Sequence, residues 1–381
     1  MATLRPLATI ILLGYLTAAR PVAAADLAVW VYDFPRWSES QWEARVAELP
    51  PGTRHLYASV EEGAAFLLQD ESRSGDIQRI VGGLRGRPGI LTHAIILEDT
   101  RWLDDVEGAR ARLARVLALN RTYPDRAFAG VHVEVEPQTL EEWECGGIPE
   151  RRVLMQKLQA LFSRLASAIP AVGKDRSLHL QLSAALPWWI GSPSSDIPEA
   201  SPRRFLDSLD EIVLMGFGDP GGPRIGGSAQ ALLPRLEDPR LWQGIPTGKG
   251  IRIGLATYEY SRAADLLATA RELDRALAGQ QPYRGTALFH STGTYAAPLT
   301  ASIRGLVRDA IGQPVARASV KVGERQTATN RCGRFVVRDL PAVGVALDVK
   351  AFGFRSASVL VSGLTAGREL EMPPIVLDRN P

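Results

Sequence analysis

From residue 26 to residue 290 the sequence alternates between short apolar runs and longer amphipathic segments. Strands that alternate with helices pair in parallel, because each crossover helix returns the chain to the same edge of the sheet. Eight such units in roughly 270 residues predict a closed (β/α)₈ TIM barrel. An open doubly wound sheet is the alternative, but no Gly-x-Gly-x-x-Gly turn follows the first run. The runs are Leu27–Tyr32, Arg54–Ser59, His93–Leu97, Ala129–Val135, Leu178–Ala184, Glu211–Gly216, Ile251–Ala256 and Thr286–His290.

Five segments between these runs are predicted to be helical. The first extends from Trp42 to Leu49, and Ser40 followed by Glu43 fits a capping box. The others lie at about residues 106–119, 150–168, 227–235 and 262–278. Loops rich in Pro, Ser and Gly follow the fifth and sixth runs, where barrel enzymes place their sites.

The composition changes near residue 300, where helical periodicity ends and turn residues recur between short alternating runs. This pattern is typical of a small all-β sandwich. We therefore predict a barrel domain over residues 26–300 and a sandwich over residues 301–381. The clearest sandwich runs are Ser319–Val322, Phe335–Val337, Ala346–Val349 and Ser358–Val361.

Residues 1–25 have the pattern of a signal peptide. Arg5 precedes an apolar run over Leu7–Ala19, which is short for a membrane span, and three alanines end at Ala25. This predicts a periplasmic or secreted protein with no membrane span after cleavage. An uncleaved N-terminal anchor is the alternative.

Charge and cysteine content narrow the classes of partner and cofactor. Forty-four basic and 42 acidic residues give a net charge of +2, which offers no reason to expect nucleic acid as a partner. Cys145 and Cys332 fall in different predicted domains, so we expect free thiols, although export permits a disulfide. No Cys/His cluster has metal-ligand spacing, and we predict neither a metal nor a cofactor.

The fourth apolar run alternates strictly between polar and apolar residues. His132, Glu134 and Glu136 project to one side of a strand and three valines to the other, in the sequence Gly130-Val131-His132-Val133-Glu134-Val135-Glu136-Pro137. Ionisable groups facing a barrel interior are costly unless they serve a site or a satisfied network. Neighbouring carboxylates also raise one another's pKa, which suits Glu136 as a protonated acid.

This run resembles the strand-four signature Asp-Gly-x-Asp-x-Asp-x-Glu of the chitinase-type glycoside hydrolases. It is more similar to the Gly-Ile-His-x-Asp-Val-Glu-Pro version found in a bacterial group of glycosyl hydrolase-like TIM barrels. The resemblance implies that Glu136 is the general acid and that Glu134 replaces the preceding aspartate. It also implies that His132 replaces a further aspartate and lies against the substrate.

Two later segments extend this resemblance. Met215-Gly216-Phe217-Gly218-Asp219 is similar to a Met-Ala-Tyr-Arg-Asp motif on strand six, and Phe289-His290-Ser291-Thr292-Gly293-Thr294-Tyr295 is similar to the strand-eight ending. The resemblance implies substrate contacts for Phe217, Asp219, His290 and Tyr295. Phe217 replaces the tyrosine that helps hold the acetamide in chitinases, so cleavage assisted by an N-acetyl group is not expected.

A second catalytic arrangement pairs Glu136 with Glu259, which follows the seventh run. Many retaining glycosidases of this fold place the acid after strand four and the nucleophile after strand seven, with the carboxyl groups about 5 Å apart. A third interpretation is a barrel that has lost its activity, in which His132 and Glu134 are buried structural groups.

Tryptophans at strand ends predict contacts with a sugar. Trp30 lies near the end of the first run, and Trp188 and Trp189 follow the fifth. Indole faces stack on the apolar faces of pyranose rings while their N–H groups stay available for hydrogen bonds. The predicted partner is therefore a polysaccharide or oligosaccharide.

The C-terminal segment resembles the carboxypeptidase regulatory-like β-sandwich. The likeness rests on Gly305-Leu306-Val307-Arg308-Asp309, Gly312-Gln313-Pro314-Val315 and Thr329-Asn330-Arg331-Cys332-Gly333-Arg334-Phe335. Such modules are non-catalytic, and the alternatives for this one are contact with polymers or other cell-envelope proteins, or stabilisation of the barrel. The sequence thus predicts an exported glycoside hydrolase acting on a polysaccharide. The alternative is a non-catalytic carbohydrate-binding or cell-envelope assembly protein on a degenerate barrel.

Overall fold

Eight parallel strands close into a barrel, as predicted from the alternating pattern. The computed structural model describes residues 26–62, 65–86, 88–170, 180–190, 197, 200–218, 227–290 and 300–380. The order around the barrel follows the order along the chain, which excludes the doubly wound alternative. In chain order the strands are β1 (Leu27–Val31), β2 (Thr53–Ser59), the short hairpin β3 (Glu61–Glu62) and β4 (Ala65–Phe66), then β5 (Leu91–Leu97), β6 (Gly130–Val133), β7 (Gln181–Pro187), β8 (Glu211–Met215), β9 (Gly250–Ala256) and β10 (Tyr283–His290). The hairpin β3–β4 lies outside the barrel.

Helices connect these strands. They are α1 (Trp42–Ala47), α2 (Glu71–Gly86), α3 (Val106–Thr122), α4 (Glu141–Cys145), α5 (Ile148–Ala168), α6 (Pro202–Leu206), α7 (Ala229–Leu236), α8 (Pro239–Trp242) and α9 (Ala263–Leu277). The five predicted helices correspond to α1, α3, α5, α7 and α9. No helix in the described part of the chain has the length and apolarity needed to cross a membrane.

One expectation about the helices was wrong, and one long helix was not predicted. The capping box does not form, because α1 begins after Gln41 and the Ser40 hydroxyl bonds that of Ser38 at 3.2 Å instead. The sequence pattern also missed α2, whose glycines interrupt the helical periodicity. Gly82 and Gly83 permit close packing there, since a Cβ atom would lie 2.8 Å from Arg126 and 2.7 Å from the Trp42 ring.

The barrel interior contains a buried ion pair. The Tyr57 hydroxyl donates to Glu211 Oε1 at 2.6 Å, and Arg252 Nε donates to Glu211 Oε2 at 3.0 Å. Only 5% of the Glu211 side chain and 4% of the Arg252 side chain are exposed. Both carboxylate oxygens are therefore engaged, which is what makes a buried charge tolerable.

The C-terminal segment forms two packed sheets. The strands are β11 (Ala301–Asp309), β12 (Ser319–Val322), β13 (Arg325–Ala328), β14 (Arg334–Leu340), β15 (Val345–Lys350), β16 (Ala357–Val361), β17 (Glu369–Glu371) and β18 (Ile375–Leu377). One sheet contains β14, β11, β17 and β18, and the other has the order β13, β12, β15, β16. Their inward residues, such as Ile303, Val320, Phe335 and Leu347, form a core of their own.

Cys145 and Cys332 form a disulfide, so the expectation of free thiols was wrong. Their Cα atoms are 5.5 Å apart although 187 residues separate them in sequence. The bond requires the sandwich to lie against α4, and Asn330 Nδ2 donates to Glu144 Oε2 at 2.8 Å beside it. A contact between domains of this kind has no signature in the spacing of two cysteines.

The buried pair gives a test of the fold. Glu211→Leu leaves the buried Arg252 charge without its carboxylate partner, so we expect the free energy of unfolding to fall by about 3–5 kcal/mol. Glu211→Leu combined with Arg252→Met removes both charges and should cost clearly less. Asp265→Ala, which breaks an exposed pair with Arg262, is the control and should change nothing measurable. Denaturant unfolding measures all three, and equal losses in the single and double variants would contradict this account.

Candidate functional site

Three carboxylic acids meet where β5 and β6 end. Glu98 directly follows β5, and Glu134 and Glu136 follow β6. The backbone N–H of Glu134 donates to the carbonyl of Leu97 at 2.9 Å, which holds the two strand ends side by side. Exposure increases outward along this stretch, because His132 is fully buried, Glu134 is 9% exposed and Glu136 is half-buried. The alternating motif therefore leads from the barrel interior to its rim.

Glu134 is a buried carboxyl group with one hydrogen bond from a side chain. The Tyr32 hydroxyl donates to its Oε2 atom at 2.6 Å. Burial raises the pKa of Glu134 to about 8; the Tyr32 hydrogen bond opposes this shift, and the charges of Glu98 and Glu136 add to it. The Trp30 indole N–H also favours the ionised form, although its contacts fall outside hydrogen-bond geometry. Glu134 is consequently a neutral acid at pH 7.

The two carboxyl oxygens of Glu134 have different neighbours. The Tyr32 hydroxyl bonds Oε2, whereas Oε1 lies 3.7 Å from His132 Nε2, beyond hydrogen-bond distance. The Ser183 hydroxyl donates to the Val131 carbonyl at 3.3 Å and therefore accepts from His132 Nδ1 at 2.8 Å. This assigns the proton of the neutral imidazole to Nδ1 and leaves the Nε2 lone pair facing Glu134.

His132 is neutral for the same reason that Glu134 is neutral. Burial lowers the pKa of His132 to about 3. Its ring stacks on Tyr57, with centroids 4.1 Å apart and an interplanar angle of 21°. An acid and a base thus lie next to each other without exchanging a proton, because neither charged form is solvated there.

Glu136 and Glu98, the other two acids, each accept a hydrogen bond from a different side chain. Gln138 Nε2 donates to Glu136 Oε2 at 2.7 Å from the turn that follows β6. The Ser59 hydroxyl donates to Glu98 Oε1 at 2.6 Å, and burial raises the pKa of Glu98 against this hydrogen bond. Glu98 and Glu136 both raise the pKa of Tyr32, after burial and Glu134, so the four groups form one electrostatic cluster.

Four half-buried rings lie at the same end of the barrel and form an aromatic platform, defined as Tyr32, Phe217, Tyr258 and Phe289. Phe289 is central, with ring centroids 5.3 Å from Tyr32, 5.4 Å from Phe217 and 6.1 Å from Tyr258. Of these four, the motif comparison selected only Phe217 as a contact residue. The other three share one sequence signal, an aromatic residue at or just after the end of a barrel strand.

The predicted tryptophans occupy different environments. Trp30 is fully buried, with its ring 6.0 Å from Phe289 and 5.8 Å from His132, so it supports the platform from within the barrel. Trp189 packs against Trp143 at 5.2 Å. The Arg235 guanidinium lies 4.1 Å above the Trp188 ring, beside a cavity of about 250 Å³ between β8 and α7. Trp30 therefore lies next to Glu134 and His132, whereas Trp188 and Trp189 make their described contacts elsewhere.

Glu259 is bonded on both sides by backbone amides. Its Oε1 atom accepts from Gly218 N and its Oε2 atom from Gly227 N, each at 2.9 Å, and the residue is 2% exposed. The neighbouring Tyr258 hydroxyl donates to the Gly218 carbonyl at 2.5 Å. This carboxylate therefore joins the two ends of the connection between Gly218 and Gly227. Its role as a nucleophile stays a prediction.

The remaining predicted contacts are not described by the structure. Asp219 and Tyr295 lie outside the described residues, and His290 ends β10 with its side chain undescribed. Within the described ranges, no group of three or more His, Cys, Asp or Glu residues has the geometry to hold a metal ion.

Sequence comparison identifies the C-terminal segment. Residues 302–376 match the model of the carboxypeptidase regulatory-like domain, which confirms the resemblance noted for this part of the chain. No curated protein matches the chain.

Chitinases are among the solved structures that are similar to this chain. The C-terminal domain of a presumed chitinase from Desulfitobacterium hafniense is 12% identical over 89% of this chain and 87% of that one, with a TM-score of 0.46. A chitinase from Chromobacterium violaceum is 14% identical over 72% of this chain and 96% of that one, with a TM-score of 0.44. A cohesin–X–dockerin complex from Acetivibrio cellulolyticus is 13% identical, with a TM-score of 0.18; the alignment covers 20% of this chain and 56% of that one. The chain thus spans just over half the length of that last protein.

Proposed function

We propose that this protein is an exported glycoside hydrolase that cleaves a polysaccharide, with Glu136 as the proton donor. The observation that carries the proposal is the cluster of Glu98, Glu134 and Glu136 at the carboxyl ends of β5 and β6. Catalytic groups of (β/α)₈ enzymes lie at this end of the barrel. Export rests on the signal-peptide pattern of residues 1–25.

Glu136 suits the role of general acid because of its position. It is the outermost member of the alternating motif and is half-buried, whereas Glu134 is almost fully buried. A carboxyl group at the rim can reach a glycosidic oxygen of a bound glycan, and in its protonated form it can give that oxygen a proton. A neutral Glu134 would supply no carboxylate charge to a developing oxocarbenium ion, so that charge would have to come from another carboxylate.

The aromatic platform supports a carbohydrate as the ligand. The four residues of the platform are half-buried, and Tyr32 joins the platform to the acids through its hydrogen bond to Glu134. Aromatic rings stack on the apolar C–H faces of pyranoses, and the carboxyl groups are then placed to bond hydroxyls. An apolar aromatic surface next to a group of acids fits a sugar better than it fits a uniformly apolar ligand.

A non-catalytic carbohydrate-binding protein is the second candidate. The bonding of Glu259 favours it, since both oxygens of this carboxylate accept from backbone amides and neither is directed at a substrate. A hydrolase of either stereochemical class uses two carboxyl groups. In the catalytic case the second group would have to be another member of the acid cluster.

Glu136→Gln separates the two candidates. We expect the rate of glycan cleavage to fall by at least about 100-fold, because a general acid contributes 10²–10⁴-fold, while glycan binding persists. Release of reducing ends from a glycan panel and calorimetric binding measure the two properties. Glu107→Gln, at an exposed carboxylate on α3, is the matched control. A wild type that binds a glycan and cleaves none of the panel would support the second candidate.

Glu134→Gln tests whether Glu134 keeps its proton at neutral pH in the folded protein. Between the ordinary carboxyl pKa of 4.5 and about 8, only the folded state keeps the Glu134 proton. The contribution of this group to stability is therefore complete below pH 4.5 and is lost as the pH rises to about 8, by about 1.4 kcal/mol per pH unit. The variant, which cannot titrate, should remove this slope. Denaturant unfolding from pH 4 to pH 9 measures it, and an unchanged slope would show that Glu134 ionises normally.

Glu259→Gln distinguishes an anchor from a nucleophile. A glutamine oxygen can accept one of the two backbone N–H groups, so we expect cleavage to slow by about tenfold or less. A nucleophile replaced by an amide would instead lose essentially all turnover. Steady-state kinetics on the glycan that wild type cleaves decide between these outcomes, and complete loss with an unchanged melting temperature would restore the catalytic assignment.

A further inference from the structure

The loop that carries Glu136 also carries the contact between the two domains. Glu136 leads into the turn Pro137–Thr139, and α4 begins at Glu141, all within the connection from β6 to α5. The disulfide partner Cys145 is the last residue of α4. Cys145, which forms a covalent bond to the C-terminal module, thus lies nine positions after the proposed proton donor.

Several contacts surround this disulfide. Asn330 Nδ2 donates to Glu144 Oε2 at 2.8 Å, and the Arg331 backbone N–H donates to Glu141 Oε1. The Arg331 guanidinium also lies 3.9 Å from Glu142 Oε1. All three glutamates of α4 are therefore directed to the module, and they face one arginine and two N–H donors.

On the C-terminal module, Asn330 is held by hydrogen bonds within its own turn. Asn330 Oδ1 accepts from the backbone N–H groups of Cys332 at 3.2 Å and Arg334 at 2.9 Å. The Asn330 carbonyl accepts from Gly333 N at 2.9 Å, which closes the turn before β14. Asn330 thus orders the turn with one side-chain atom and bonds α4 with the other.

The barrel side is held as well. Arg151 Nε donates to the Trp143 carbonyl at 2.9 Å, and the Trp143 ring packs on Trp189 after β7. The carboxylate of Glu150 accepts from Gly147 N at 2.8 Å where α5 begins. The Glu136 connection is therefore fixed at α5 and at the module, in addition to its origin in β6.

We propose that the C-terminal module acts as a buttress for the Glu136 connection, with Asn330 and Cys332 as positioning residues that act through α4. The catalytic consequence rests on the proposed function, whereas the mechanical coupling does not. A five-residue helix such as α4 has little intrinsic stability, so its contacts determine its position. A displacement of a catalytic group by about 1 Å can cost a factor of about 100 in rate.

The experiment compares variants of the full chain by hydrogen–deuterium exchange of peptides covering residues 137–147. Cys145→Ser with Cys332→Ser removes the covalent bond, and Glu144→Ala removes the acceptor for Asn330 while leaving the disulfide intact. Glu144→Gln keeps an acceptor oxygen and serves as the conservative rescue. Glu107→Ala, an exposed carboxylate on α3, is the matched control.

We expect exchange over 137–147 to become roughly tenfold faster in the double serine variant and severalfold faster in Glu144→Ala. Glu144→Gln and Glu107→Ala should match wild type, and peptides from β1 and β9 should not change in any variant. Unchanged exchange over 137–147 in both Glu144→Ala and the double serine variant would overturn the proposal.

Kinetics separate this proposal from the proposed function. If the barrel cleaves a glycan, kcat should fall in the double serine variant by about tenfold or more while KM changes little, because the aromatic platform is untouched. Faster exchange in a protein that cleaves nothing would keep the buttress and reject the hydrolase. Faster exchange with an unchanged kcat in an active protein would show that α4 does not position Glu136.

Discussion

Loss of water inside the closed barrel is the constraint on which the rest of the structure depends. Charged groups in this interior must be paired or must lose their charge. The chain does both, at different levels of the same barrel. Glu211 and Arg252 remain an ion pair with every carboxylate oxygen bonded. Glu134 and His132 are instead neutral, with pKa values of about 8 and about 3 that burial moves in opposite directions.

The alternating motif on β6 predicted this arrangement because a strand has a period of two residues. Once His132 faces the interior, Glu134 and Glu136 must face the same way. The same rule places Trp30 and Tyr32 on one side of the chain at β1, but it does not say how deeply each side chain is buried. Trp30 is fully buried, whereas Tyr32, two residues further along, is half-buried. The sequence could therefore indicate which side chains share a face, but not which of them reaches a ligand.

Features that depend on contacts between distant segments could not be predicted. Glu259 has its partners at Gly218 and Gly227, and backbone N–H groups carry no residue signature. The disulfide required knowledge that the sandwich lies on α4. Helix α2 was missed because Gly82 and Gly83 weaken the periodic pattern, yet these glycines are what allow Arg126 and Trp42 to pack closely. In each case the missing information was a tertiary contact.

Glu134 and His132 are both neutral only within a range of pH, and burial sets both ends of that range. Above a pH of about 8 Glu134 ionises, which places a negative charge in the barrel interior next to Glu98 and Glu136. Towards pH 4 and below, first His55 and then His132 gain a proton in an interior that cannot solvate it, since burial lowers their pKa values to about 4 and about 3. Between these limits Glu134 and His132 are both neutral, and a proton donor at Glu136 meets an uncharged neighbour.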